Sequence, residues 1–141
     1  VQAALNRAGL TADQVAIVKK GMELENGRKV YEVEFLYGGK EYDYTIDALT
    51  GNVLSFDQDV ENDLDPAKLS AAGLIGFDRA GQIALDKVPG ATKDDLMIEV
   101  DLENGRYQYE GEIYYGGQEY DFAIDAKDGT VLQWKQEPID R

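Results

Sequence analysis

ENGRKVYEVEFLYGGKEYDYTIDALTGNVL, at residues 25–54, returns as ENGRYQYEGEIYYGGQEYDFAIDAKDGTVL at residues 103–132. The offset is 78 residues throughout, and 19 of the 30 aligned positions are identical. A repeat of fixed period indicates one structural unit that occurs twice. We therefore predict two tandem modules, at residues 1–57 and 75–141, separated by an acidic linker with a short helix at residues 58–74.

Each copy has the pattern of a helix followed by four strands. Tyr31, Val33 and Phe35 alternate with Glu32 and Glu34, which is the period of two expected of a strand with one buried face. Asn-Gly, Gly-Gly and Asp-Ala-x-x-Gly sequences separate the strands and are typical of tight turns. The predicted fold class is α+β, with each module formed by one helix packed on its own four-stranded antiparallel sheet.

Helices are predicted ahead of the strands and inside the linker. The helix of the first copy is expected to end at Gly9. In the second copy Asp78 is predicted to cap a helix that ends before Pro89. Asp65 and Pro66 form a favourable N-cap and N1 pair, which predicts the short linker helix.

The composition excludes several classes of function. The formal net charge is -14, and both halves of the chain are acidic. Such a surface repels phosphate backbones and anionic lipids, so we expect no binding of nucleic acid or of membrane surfaces. Cys and His are absent, which removes the usual ligands of zinc, iron–sulfur clusters and haem and the usual nucleophile–base pairs. We therefore expect no enzyme activity and no cofactor.

The sequence also bears on membrane attachment. It contains no apolar run of the roughly 18 residues that a membrane-spanning helix needs. It opens at Val1, inside the first predicted helix, so we expect that a signal or lipid-anchored segment precedes it in the full-length protein. Any membrane anchoring is expected to come from that missing segment.

Several short stretches follow the pattern of a known family. In the second copy they are Ala84-Leu85, Val88-Pro89-Gly90-Ala91 and GGQEYDFAIDAKDGTVL. In the first copy they are Ala4-Leu5 and GGKEYDYTIDALTGNVL, with Ala8-Gly9-Leu10 where the second copy has its Val-Pro-Gly. This pattern, present twice with the same spacing, resembles the PepSY module.

The resemblance implies a helix packed on an antiparallel sheet. PepSY modules occur in the propeptides of secreted metallopeptidases and in bacterial envelope proteins, where they inhibit or regulate peptidases or hold partner enzymes. The family has no established catalytic residues, so none is carried over. Tandem chains of this size resemble exported or lipid-anchored proteins of Gram-positive bacteria. We therefore expect a non-catalytic extracytoplasmic protein that inhibits, regulates or tethers a peptidase or another envelope enzyme.

The outward-facing side chains of the strands are the candidate partner-binding residues. An acidic sheet surface can dock a basic groove, and an exposed tyrosine is a common interface anchor. The candidates are Glu32, Glu34, Glu110, Glu112 and Tyr114. Hydrolysis by two of these carboxylates is the least favoured function, because the sequence shows no apolar pocket that would raise one pKa. Asp47 and Asp125 are interpreted as turn residues.

Alternating carboxylates in the linker leave another function open. They are Asp57, Asp59, Glu61 and Asp63, followed by Asp65. Their spacing is that of the start of a calcium loop, and hard oxygen ligands suit calcium. The EF-hand pattern further requires Gly and Glu where Asn62 and Lys68 stand. A structural protein that binds calcium weakly, or binds an envelope polymer, is therefore the alternative, beside a simply solvated linker.

Overall fold

The computed structural model describes residues 2–25, 27–60 and 64–139. In these ranges the strands are β1 (Ala16–Glu25), β2 (Arg28–Tyr37), β3 (Lys40–Asp47), β4 (Val53–Val60), β5 (Leu96–Glu103), β6 (Arg106–Tyr115), β7 (Gln118–Asp125) and β8 (Val131–Pro138). The helices are α1 (Gln2–Ala8), α2 (Pro66–Ala71) and α3 (Phe77–Leu85). Single 3₁₀ turns at Ala12–Gln14 and Lys93–Asp95 lead into β1 and β5. Within the described ranges, every helix is too short or too polar to cross a membrane.

All eight strands form one antiparallel sheet, in the order β4-β3-β2-β1-β5-β6-β7-β8. The α+β class and the four-stranded meander of each repeat agree with the sequence pattern. The expectation that each module has its own separate sheet is wrong, because the two meanders are joined where β1 pairs with β5. The first strand of an isolated meander would be an edge with unpaired backbone groups, and pairing the two edges satisfies both of them.

The join is a short ladder between β1 and β5. Its pairs are Lys19 with Glu99, Lys20 with Ile98, and Gly21 with Met97. Gly21 has a φ of 141°, which L side chains rarely adopt. A Cβ built on Gly21 would lie 2.2 Å from the carbonyl oxygen of Leu96 and 2.4 Å from the Cα of Met97. The two strands can therefore approach this closely only because position 21 has no side chain.

Helices α1 and α3 cover the same face of the sheet. Lys20 pairs with Val33 on β2 and with Ile98 on β5, and residues paired across antiparallel strands point to the same side. Val33 belongs to the core cluster under α1, and Ile98 belongs to the cluster under α3. The join thus places the two helices side by side on one face, which we call the helix face.

The predicted helix boundaries are partly confirmed. Gly9 follows α1 with a φ of 73°, as a glycine stop requires. Asp78 is not the cap of α3, since it lies in the first turn and Gly76, with a φ of 95°, occupies the cap position. The backbone of Gly76 adopts a conformation that leads the chain into the helix without a side-chain cap. The general preference for aspartate at helix N-caps does not predict this conformation.

The linker contains the predicted short helix α2. Asp65 caps it, since its carboxylate accepts the backbone N–H of Ala67 at 2.9 Å. Strand β4 continues to Val60, beyond the predicted start of the linker at residue 58. The division into modules at residues 1–57, 58–74 and 75–141 stays a prediction.

Replacing Gly21 with alanine is expected to lower the free energy of unfolding by at least about 2–3 kcal/mol, because the Cβ meets the backbone of Leu96 and adds backbone strain. Urea unfolding followed by the fluorescence of Trp134, the single tryptophan, measures this loss. Gly38→Ala is the matched control, since Gly38 also has a positive φ, of 60°, but a Cβ there meets nothing within 4 Å. Equal losses in the two variants would contradict the steric role of Gly21.

Candidate functional site

The surface opposite the helices is lined by carboxylates from both repeats, and we call it the acidic face. Strand alternation and the observed register place on it Glu23, Glu32, Glu34, Glu41, Asp43, Glu99, Asp101, Glu110, Glu112, Glu119 and Asp121, together with Lys19 and Tyr114. All the predicted partner-binding residues therefore lie on one surface, on β2 and β6. These two strands are three strand spacings apart, roughly 14 Å. A role of these residues in partner binding stays a prediction.

Lys19 provides a positive charge in the middle of the acidic face. Its Nζ lies 2.8 Å from Glu32 and 4.0 Å from Glu34, and its side chain is only 15% exposed. Burial opposes the charge of Lys19, but the hydrogen bond to Glu32 and the nearby carboxylates outweigh burial and raise the pKa of Lys19. Lys19 also faces Glu99 across the join, so one ammonium group balances carboxylates of both repeats.

The carboxylates around Lys19 are crowded and half-buried. Burial, followed by the hydrogen bond with Glu32, raises the pKa of Glu23 to about 8. Burial raises the pKa of Glu34 to about 7 despite the attraction of Lys19, and it also raises the pKa of Glu99. Burial acts on Glu32 as well, but its hydrogen bonds with Glu23 and Lys19 prevail and lower its pKa. Glu23 and Glu32 therefore share a proton near neutral pH.

One carboxylate cluster occurs at equivalent positions of the two repeats. Its members are Glu34, Glu41 and Asp43 in the first repeat and Glu112, Glu119 and Asp121 in the second, with carboxylate oxygens within 4.8 Å of one another. Burial, then the hydrogen bond with Glu41, raises the pKa of Asp43 to about 8. Burial, then the hydrogen bond with Asp121, raises the pKa of Glu119 to about 7.

These two clusters could hold either protons or a cation. Carboxylate oxygens are the ligands that hard divalent cations prefer. The Oδ1 atoms of Asp43 and Asp121 are buried and have no hydrogen-bond partner. The retained protons, however, reduce the negative charge that each cluster offers to a cation near neutral pH. The raised pKa values of Asp43 and Glu119 therefore favour shared protons over a bound cation near neutral pH.

Tyr114 lies within the acidic face rather than projecting from it. Its hydroxyl donates a hydrogen bond to Glu112, and the side chain is half-buried. Burial, then this hydrogen bond, raises the pKa of Tyr114. The equivalent position of the first repeat, 114 - 78 = 36, holds Leu36, which is 5% exposed. A partner would therefore contact the edge of a packed tyrosine, not a free side chain.

The geometry gives little support to hydrolysis on this face. A shallow depression of about 190 Å³ lies beside Glu110, Gly111 and Glu112. It is smaller than the roughly 300–1,000 Å³ of typical small-molecule sites. Contrary to the expectation from the sequence, burial raises the pKa of Glu34 and Asp43. These carboxylates lie side by side on one face of the sheet, however, whereas glycoside hydrolysis needs two acids on opposite sides of the bond that is cleaved.

Asp47 and Asp125 stabilise equivalent turns. The Oδ1 of Asp47 accepts two backbone N–H groups of its turn, at 2.7 and 3.1 Å, and the Oδ1 of Asp125 does so at 2.8 and 3.2 Å. Arg28 forms an ion pair with Asp47, and Arg106 Nη1 lies 4.0 Å from Asp125. The hydrogen bond with Arg28 holds the pKa of Asp47 below its usual value. The arginine partners, which the sequence did not reveal, link the first hairpin of each repeat to its last turn.

The linker carboxylates predicted for calcium are only partly described. Asp57 is exposed on β4, and nothing is described of the side chain of Asp59. Glu61 and Asp63 lie outside the described residues. The calcium site of the linker therefore stays a prediction.

Comparison with known proteins agrees with the duplication. The PepSY family model, described as "Peptidase propeptide and YPEB domain", matches residues 1–57 and 74–134. The uncharacterized protein YkoJ of Bacillus subtilis is 36% identical over 113 residues, which are 79% of this chain and 59% of YkoJ. The uncharacterized protein Spy1430 of Streptococcus pyogenes is 35% identical over 85 residues, 59% of this chain and 65% of Spy1430. The chain thus spans less than two thirds of each relative.

A solved structure can be compared as well. It is the crystal structure of a protein from Clostridium difficile 630 that has been assigned as a lipoprotein. The sequence identity is 25%, the TM-score is 0.49, and the match covers 94% of this chain and 87% of the other.

The raised pKa values predict that the protein becomes more stable as the pH falls from ~8 to ~5. In this window the folded chain keeps protons on Glu23, Glu34 and Asp43 that the unfolded chain has released. The gain should be about 1–2 kcal/mol, or roughly 3–8 °C in Tm, measured by thermal unfolding. Glu34→Gln should reduce the pH dependence more than the control Glu25→Gln, at an exposed position. A Tm that stays constant or falls over this window would contradict the prediction.

Replacing Lys19 with methionine should destabilise the fold by about 2–3 kcal/mol at pH ~8, because half-buried carboxylates lose their counter-charge. The loss should shrink toward pH ~5, where those carboxylates take up protons. Urea unfolding at both pH values measures the difference. Lys135→Met removes a lysine that is 60% exposed and should cost less than about 0.5 kcal/mol. A pH-independent loss at Lys19 would show that packing, not charge, is responsible.

Proposed function

Because this chain belongs to the PepSY family, we propose that it binds and regulates a protein partner outside the bacterial cytoplasm. The partner is a peptidase or another enzyme of the cell envelope, which the chain inhibits, regulates or tethers without catalysis of its own. The family description as a peptidase propeptide domain supports this choice of partner. The bacterial origin of the relatives agrees with it.

The continuous acidic face is the observation that carries the proposal. Because both meanders belong to one sheet, Glu32 and Glu34 of the first repeat point the same way as Glu110 and Glu112 of the second. A basic surface of a partner can therefore contact both repeats at once. The net charge of -14 attracts such a surface from a distance and speeds the encounter.

The half-buried state of the carboxylates also suits this role. Much of the cost of removing water from Glu34 and Glu99 is already met in the folded chain, as their raised pKa values indicate. An arginine or lysine of the partner that approaches these groups favours their ionised form, so docking releases protons. The acidic face thus gains negative charge when a basic surface arrives.

Neutralising part of the acidic face should weaken binding of the partner. Secreted and envelope fractions of Bacillus subtilis, the source of one relative, are passed over the immobilised chain, and a recovered peptidase is purified and assayed for inhibition. The double variant Glu110→Gln/Glu112→Gln should slow association about 3- to 10-fold at low salt and reduce its salt dependence. The chain offers a matched control in Asp86→Asn/Asp94→Asn, which removes the same charge from exposed positions outside the acidic face. This control should slow association less than about twofold.

Two results would count against the proposal. One is that the fractions yield no peptidase or other envelope enzyme, or that a recovered peptidase, once purified, keeps full activity and does not bind the chain again. The other is that the two double variants weaken binding equally, since overall charge and not the acidic face would then be responsible. Thermal unfolding of each variant establishes that it is folded before its binding is compared.

A further inference from the structure

A groove of about 450 Å³ opens on the helix face above the join. It lies between the two helices, since α1 packs over β3 and α3 packs over β5 and β6. Its apolar wall comes from both repeats: Tyr31, Phe77 and Leu85 are partly exposed, whereas Val33, Leu96 and Ile98 are buried. The volume lies within the roughly 300–1,000 Å³ of typical small-molecule sites.

Lysines stand beside this apolar wall. Lys20 and Lys93 both line the groove, together with Asp78. The Nζ of Lys20 lies 5.5 Å from the centre of the Phe77 ring and 3.8 Å from the carboxylate of Asp78, whose side chain is 99% exposed. An ion pair with a fully exposed carboxylate is weak, so a ligand can replace Asp78 as the partner of Lys20.

The positive charge is specific to this junction. By the repeat offset, 20 + 78 = 98, so Lys20 occupies the position that Ile98 has in the second repeat. Register supports this equivalence, since Lys20 pairs with Val33 and Ile98 pairs with Gly111, its counterpart at 33 + 78 = 111. The first repeat therefore has a lysine where the second repeat has an apolar residue, although the molecule as a whole has a net charge of -14.

We propose that this groove binds a single monocarboxylate with an apolar chain, about the size of a medium-chain fatty acid. Its carboxylate lies between Lys20 and Lys93, and its chain lies against Tyr31, Phe77 and Leu85. The positive rim and the apolar wall together complement an apolar anion, and neither feature alone would select one. This site is on the face opposite the carboxylates and does not depend on the proposed protein partner.

A peptide fits the groove less well than an acyl chain. Beneath the groove, residues 19–21 of β1 already pair with residues 97–99 of β5. A peptide therefore finds no free strand edge there to which it could add a strand. The amide of Gln82 donates its hydrogen bond to Asp86 at 2.6 Å. A bound peptide would bury backbone amides with few partners, whereas an acyl chain has no such groups.

The test is calorimetric titration of the whole chain with decanoate below its micelle concentration, with NMR chemical shifts to locate the site. We expect one molecule bound per chain, with shifts at groove residues, and no binding of decyltrimethylammonium, which has the same chain and the opposite charge. Lys20→Met should weaken decanoate binding about fivefold or more. Gln82→Trp, which places a ring into the groove from an exposed helix position, should abolish it.

Lys87→Met is the matched control. Lys87 also lies over an aromatic ring, at 5.2 Å from the centre of Trp134, but it does not line the groove, so binding should be unchanged. Absence of decanoate binding, equal binding of the cationic amphiphile, or full affinity in a folded Gln82→Trp variant would each overturn the proposal. If Gln82→Trp does not fold, Lys93→Met must weaken binding instead. Tighter binding of a short peptide with an apolar C-terminal residue would identify a peptide site and also overturn it.

Discussion

The close approach of β1 and β5 at Gly21 is the constraint on which the rest of the structure depends. Its short ladder merges two four-stranded meanders into one sheet. An antiparallel pairing of equivalent strands relates the two repeats by an approximate two-fold axis. The axis passes through the pair of Lys20 and Ile98, which are equivalent residues. Such an axis, perpendicular to the sheet, puts both helices on one side and both sets of carboxylates on the other.

The merged sheet concentrates like charges, and the energetics of the acidic face follow from that. Ionised carboxylates on neighbouring strands repel one another, and burial increases the cost. The fold reduces this cost in two ways. Lys19 supplies a counter-charge at the boundary of the repeats, and Glu23, Glu34 and Asp43 keep protons near neutral pH. The face is therefore less charged than its composition suggests, and its charge depends on what approaches it.

Sequence patterns predicted the contacts within a repeat and missed those between repeats. Alternation such as Tyr31-Glu32-Val33 and the glycine turns depend on residues that are close in the chain, so the strands, their order in each meander and the two sides of the sheet could be predicted. The pair of Lys19 and Glu99 joins residues 80 positions apart, since 99 - 19 = 80, and local patterns carry no information about it. Alternation also shows which side a carboxylate faces, but not how closely carboxylates from two repeats pack once their strands are neighbours.

The repeats differ most usefully at the join itself. Lys19 and Gly21 correspond to Met97 and Glu99, since 19 + 78 = 97 and 21 + 78 = 99. If two identical copies were joined in this way, the same pair would occur on both sides of the axis. Two first repeats would pair lysine with glycine, and two second repeats would pair methionine with glutamate. In the actual chain, Lys19 pairs with the oppositely charged Glu99. On the other side of the axis Gly21, which has no side chain, pairs with Met97, which has a long one. These two pairs are more complementary than the pairs that identical copies would form. The divergence of the repeats therefore favours pairing within one chain over pairing between equivalent repeats of two chains.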